Sequence, residues 1–157
     1  NHVHFTGCRL ESYPGTAIAL TGGNTNKIYL TDCKLESLAS NRPALTAANA
    51  VSLHLAGVQI TARGEPGATL DSLLSIQDSS FIVGDLVLEH VAWDGGATLG
   101  AYVSLTMCRG VDLQISVIDG QNILPLGSYV RIGGSEACSV RGMFRRGRHV
   151  EQRSWVA

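Results

Sequence analysis

The sequence predicts an all-β solenoid, and three observations point to it: a phrase that occurs twice in register, alternation of apolar and polar residues inside each copy, and an Asn that returns at one corner. The phrase runs Val3-His4-Phe5-Thr6-Gly7-Cys8-Arg9-Leu10-Glu11-Ser12, and 25 residues later Ile28-Tyr29-Leu30-Thr31-Asp32-Cys33-Lys34-Leu35-Glu36-Ser37. Period-two alternation makes short strands with one apolar face, and a single repeat cannot bury that face until a neighbour stacks on it. Function is then a property of the outside of a rod.

Each repeat opens with a first strand: Ala17-Ile18-Ala19-Leu20, Pro43-Ala44-Leu45-Thr46, Leu73-Leu74-Ser75-Ile76, Tyr102-Val103-Ser104-Leu105 and Tyr129-Val130-Arg131-Ile132. Leu20, Leu45, Ile76, Leu105 and Ile132 are taken as equivalent, 25 to 31 residues apart. A corner follows, where Leu20-Thr21-Gly22-Gly23-Asn24 lines up with Leu45-Thr46-Ala47-Ala48-Asn49. Asn tolerates the left-handed conformation of a tight corner, and stacked amides can bond along the axis, so Asn24 and Asn49 form a structural ladder. The second strand is Lys27–Leu30, Val51–Leu55, Leu86–Leu88, Val111–Leu113 and, less regularly, Ser139–Arg141. The third is Cys8–Glu11, Cys33–Glu36, Val58–Thr61, Val91–Asp94 and Ser116–Asp119, with Leu10, Leu35, Ile60, Trp93 and Ile118 pointing inward.

Three short strands per turn, an Asn corner and this repeat length resemble the right-handed parallel β-helix of the pectate lyase type. Residues 1–140 then form about five to six turns. Residues 141–157 form a basic terminal segment or last turn, with Gly142-Met143-Phe144 interrupting the pattern. A β-sandwich is the rival fold, against which the in-register Thr-Xaa-Cys-Xaa-Leu-Glu-Ser repeat argues. The resemblance is specific for fold rather than activity, because that superfamily spans pectate lyases, polygalacturonases, epimerases and bacteriophage tailspikes.

Composition fits one domain with a continuous core: 157 residues, 18 Gly and only 16% charged residues. No run of about 18 apolar residues occurs, so no transmembrane helix is expected. The net charge of −1 predicts no general attraction to nucleic acid. Arg141, Arg145, Arg146, Arg148 and Arg153 crowd the last residues with Glu151 as their only acid, forming either a solvated edge or a contact for phosphate or an acidic partner. Asn1 aligns with Asn26 in mid-coil, and neither end shows an amphipathic cap, so further chain or a partner subunit is expected. Cys8 and Cys33 are inward on neighbouring turns, where either a disulfide or two packed thiols is possible. Cys108 and Cys138 have no metal-like spacing, so neither zinc nor any cofactor is expected.

Residues after the inward third-strand positions should form an outward column of Glu11, Glu36, Thr61, Asp94 and Asp119. Like charges one strand spacing apart repel unless something is bound or one is protonated. The column either solvates one face or supplies carboxylates to a glycan site, with Asp94, Asp119 and Glu36 as catalytic candidates. Longer loops after the third strand would stack on one edge and carry ligand-binding residues Arg63, Glu65, Asp71, Gln121 and Asn122. Trp93 would offer a stacking surface or a core side chain. His2, His4, His54, His90 and His149 form no constellation.

The resemblance implies, as leading expectation, a bacteriophage tailspike or tail fibre on the virion that recognises a bacterial surface polysaccharide, as a homotrimer with other tail proteins and without membrane insertion. A secreted glycoside hydrolase, polysaccharide lyase or epimerase is the alternative, and a spacer without ligand is a third. The chain lacks the Asn-Thr-Asp and Asp-Asp runs of polygalacturonases and groups no basic residue with Asp94 and Asp119.

Overall fold

The structure is a computed structural model and describes residues 2–21, 27–38, 42–50, 52–63, 69–90, 98–119, 129–146 and 149–157. In chain order the strands are β1 (His2–Thr6), β2 (Arg9–Pro14), β3 (Ile18–Thr21), β4 (Lys27–Thr31), β5 (Lys34–Leu38), β6 (Leu45–Ala48), β7 (Ser52–Arg63), β8 (Thr69–Gln77), β9 (Ser80–His90), β10 (Thr98–Thr106), β11 (Arg109–Asp119), β12 (Val130–Gly133), β13 (Glu136–Arg146) and β14 (His149–Val156). One sheet has the order β12-β10-β8-β6-β3, and a longer one runs β1-β4-β7-β9-β11-β13-β14 with β5 beside β7 and β2 beside β5. Apart from β14, which is antiparallel to β13, all neighbours pair parallel. This is a β-solenoid of about four turns whose parallel sheets fit a right-handed β-helix, fewer turns than the five to six expected.

Alternation places the same kind of side chain inward on every rung. Ile18, Leu45, Leu74, Val103 and Val130 form one column, and Ile28, Leu53, Ile82, Val111 and Cys138 another. Both columns are buried, and so is Leu35-Ile60-Leu88-Val117-Phe144. Ala47, rather than Leu45, pairs with Leu20 and Ile76. The two-residue displacement preserves the inward face, which is why the sequence pattern tolerates either alignment.

The first corner is a ladder of left-handed residues, Asn49, Asp78, Met107 and Gly134, with φ of 57°, 47°, 53° and 59°. Their N–H groups step up the solenoid: Asn49 donates to Gln77 O (3.1 Å), Asp78 to Thr106 O (3.0 Å) and Met107 to Gly133 O (2.8 Å). The next column is small and polar enough to continue the stitching. Ala50 N–H donates to Ser79 Oγ (3.1 Å) and Cys108 N–H to Ser135 Oγ (2.9 Å). Asn24 lies outside the described residues.

A second corner separates second from third strand on the early rungs, at Gly7, Asp32 and Gly57, with φ of 63°, 52° and 62°. It ends at β9. Leu55 faces Gly84 and Val58 faces Leu86, so Ala56 and Gly57 are opposed by Asp85 alone. The Asp85 carboxylate accepts from Gly57 N–H (3.0 Å), satisfying the backbone donor that the missing residue would have met. Three strands per turn therefore describe the first rungs, whereas β9, β11 and β13 each run through as one long strand. Gly84 is required at the junction: its φ is 151°, and a Cβ there would collide with the Leu55 carbonyl.

Residues 141–146 complete β13 without interruption, with Gly142 opposite Ile115, Met143 opposite Ser116 and Phe144 opposite Val117. Gly142 leaves space for rings: a Cβ would stand 2.5 Å from Phe144 and 2.9 Å from Trp155. Phe144 packs on Tyr129 (centroids 4.2 Å) and edge-on to Trp155 (5.5 Å), while the Arg153 guanidinium lies 4.8 Å above the Tyr129 ring. At this end Tyr129 and, from β14, Trp155 pack partly buried against the core. At the other end Val3 and Leu10 remain 41% and 38% exposed, against 4% and 0% for Ile28 and Leu35 in the same columns.

Gly84→Ala should cost at least about 3 kcal/mol, or prevent folding, because strain and a backbone clash coincide. Gly133→Ala, where a Cβ meets nothing within 4 Å, should stay within about 0.5 kcal/mol of the parent in urea unfolding. Equal midpoints for the two variants would refute the proposed junction.

Candidate functional site

The outward face of the long sheet carries the polar chemistry, and its register corrects the expected acidic column. Glu36 pairs with Thr61, Thr61 with Glu89, Glu89 with Ile118 and Ile118 with Arg145. Ile118, expected inward, is exposed, and Val117 takes its place in the core. Asp119 pairs with His90 one column further on. The cause is the second corner: β11 has one residue fewer there than β4 and β5, and a one-residue slip reverses every side chain beyond it. Glu89 stands where Asp94 was expected. Gly84-Asp85 breaks the apolar alternation, so the strand extends over Ser80–His90 where the pattern marked only Leu86–Leu88.

Glu89 accepts from Gln59 Nε2 (3.0 Å) and Thr61 Oγ1 (3.3 Å), and so is tied to the rung before it. Thr61 belongs to this outward column, yet at 4% exposure it is buried rather than solvated. On the early rungs Lys34 Nζ and Glu11 Oε1 pair at 3.0 Å. Their hydrogen bond and mutual charge lower the Glu11 pKa and raise that of Lys34.

Asp94, Trp93, Glu65, Gln121 and Asn122 lie outside the described residues. Arg63 and Asp119 are described through their backbone, as the last residues of β7 and β11. The register puts Ala62, His90, Asp119 and Arg146 side by side, so four successive strands end at one edge. Residues 64–68, 91–97, 120–128 and 147–148 follow those ends. Asp71 is engaged within the protein: Arg131 Nη1 reaches its Oδ1 at 2.8 Å. Gly100 lies between them, where a Cβ would be 3.0 Å from the guanidinium.

The histidines do assemble in part. His4 stacks on Tyr29 (centroids 4.4 Å, 6° between planes), and Tyr29 stacks on His54 (4.6 Å, 14°). His54 Nε2 is 2.9 Å from Ser52 Oγ. The signal was present, since His4, Tyr29 and His54 recur every 25 residues. Such a ladder is packing along the axis rather than a proton relay. Among the described residues no three of His, Cys, Asp and Glu gather to hold a metal ion.

Cys8 and Cys33 are free thiols on adjacent rungs, as are Cys108 and Cys138 elsewhere. Cys33 Sγ lies 3.4 Å from Thr31 O, Cys108 Sγ 3.4 Å from Thr106 O and Cys138 Sγ 3.4 Å from Glu136 O. Burial pushes the pKa of all three above the ordinary thiol range. Comparison with protein-family models, with curated proteins and with solved structures gives no match.

A folded-state pKa raised above the unfolded value means that stability is complete below the ordinary thiol range and declines as pH rises through the folded pKa. The urea midpoint should therefore fall between pH 8 and pH 10.5, and less so in a Cys33→Ala, Cys108→Ala, Cys138→Ala triple variant. Identical pH dependence in parent and variant would contradict a thiol origin.

Proposed function

We propose that the chain is the rigid β-helical part of a bacteriophage tailspike or tail fibre, holding a bacterial surface polysaccharide along its flank. In this reading it acts as a homotrimer, with other virion tail proteins as neighbours. The observation that carries the reading is the side-chain stitching between rungs on the outer faces. Lys34–Glu11, Gln59–Glu89, Arg131–Asp71 and Arg141–Asp112 each link different rungs, at 3.0, 3.0, 2.8 and 2.9 Å. Individually such exposed contacts contribute little. Repeated along an axis of continuous backbone pairing, they support a stiff, polar surface, and repeated polar groups suit a repeating polymer of hydroxyls.

A second reading, a secreted polysaccharide-degrading enzyme, is favoured by one observation. Glu36 and Glu89 share an outward column with Thr61 between them. Two strand spacings are about 9.6 Å, near the upper end of the separation of roughly 6.5 to 9.5 Å used by inverting glycosidases. Asp119, and Asp94 in the segment beyond β9, are further carboxylates for such chemistry.

Incubation with a panel of bacterial capsular and lipopolysaccharide glycans should retain the protein, and light scattering should give a trimer mass. Cleavage lost in Glu89→Gln, Glu36→Gln or Asp119→Asn would favour the enzyme. Neither retention nor cleavage would leave a structural spacer.

A further inference from the structure

A cleft of about 250 Å³ opens where β14 folds back on β13, lined by Gln114, Arg141, Gly142, Met143, Val150 and Gln152. Its origin follows from the register. Gln114 pairs with Arg141 and Met143 with Gln152, so outward side chains of three neighbouring strands surround it. Arg141 is drawn back across one strand to Asp112, Nη2 to Oδ1 2.9 Å. Gly142 lines it through its backbone alone, because a Cβ there would point inward to Phe144 and Trp155.

The chemistry of the walls is mixed. Met143 and Val150 are 47% and 63% exposed, an apolar surface that water covers at a cost. The amides of Gln114 and Gln152 make no hydrogen bond among the described residues, and each offers donors and an acceptor. Arg141 supplies further donors, and Asp112 balances its charge. A small volume, an apolar wall, two unengaged amides and a neutralised guanidinium match a pyranose ring, with C–H groups on one face and hydroxyls around its rim. An acidic sugar would bring a carboxylate to a cation already paired.

We infer that this cleft is a subsite for one neutral hexopyranose unit of the bound glycan. The inference rests on the glycan-binding reading and deepens it by assigning a sugar class and the residues that hold it. Met143 and Val150 cover the C–H face, Gln114 and Gln152 bond hydroxyls, and Arg141 donates from the side opposite Gln152. A single ring buries little surface and binds weakly, so oligosaccharides are the suitable probe.

The test is an NMR titration of the side-chain amides of Gln114 and Gln152 in the full chain, with neutral gluco-, galacto- and manno-oligosaccharides and with oligogalacturonate. Retention on the bacterial glycan panel is measured in parallel. The expected result is that at least one neutral series shifts both amides and oligogalacturonate does not. Gln152→Ala and Met143→Ala should each weaken that binding about fivefold, the loss of one modest contact, while Gly133→Ala leaves it unchanged. Retention on the panel without movement of these amides, or with unaltered affinity in both variants, would overturn the subsite and leave the glycan reading standing. Shifts with oligogalacturonate alone would overturn the neutral-sugar assignment. Absence of both retention and shifts would overturn the glycan reading and the subsite with it.

Discussion

Parallel backbone pairing holds equivalent residues about 4.8 Å apart on successive rungs, and every other feature of the molecule depends on that alignment. A parallel ladder has no tolerance for a change in residue number between two corners unless the change is absorbed locally. Corners must therefore turn at the same place on each rung. The left-handed column Asn49, Asp78, Met107 and Gly134 does this with four different residue types. Met107 shows that position outranks propensity here, because a long unbranched side chain is accepted at a positive φ when its N–H is bonded to the next rung.

Between β7 and β9 the residue number does change, and two residues absorb the change. Gly84 admits the Leu55 carbonyl where any side chain would stand, and the Asp85 carboxylate meets the Gly57 N–H. One side of the coil then straightens. On β9, β11 and β13 the strands become continuous, giving a broad outer face on which Glu89, Gln114, Arg141 and Met143 are displayed. The displaced carboxylate column follows from this single missing residue.

The period-25 phrase made the first rungs legible because Val3 to Thr6 face Ile28 to Thr31 and Arg9 and Leu10 face Lys34 and Leu35, the register slipping only after Leu10. The all-β solenoid and its inward aliphatic columns follow from that. The register beyond β9 was not legible, since Phe81 to Asp85 carries an exposed Phe, a Gly and an Asp where earlier rungs alternate strictly. Nothing in the local pattern announces that the Leu55 carbonyl is the neighbour of Gly84. Asp119 was consequently aligned with Glu36, and Glu89 was passed over. The His4-Tyr29-His54 ladder was legible in the same spacing as the phrase but hidden by reading histidines as single residues. The cleft at β14 could not be seen in advance, because it depends on an antiparallel return that no repeat encodes.

The most direct measurement is site-specific crosslinking of neighbouring outward positions on β9 and β11, since that register decides which carboxylates and amides share a surface. Paired strands bring outward side chains within disulfide reach. After mild oxidation and peptide mapping, a Glu89→Cys, Ile118→Cys variant should form a bridge in high yield, and a Glu89→Cys, Asp119→Cys variant should not. Bridging in the second and not in the first would mean that β11 keeps the corner residue, restoring the uninterrupted acidic column and contradicting the register on which this account stands.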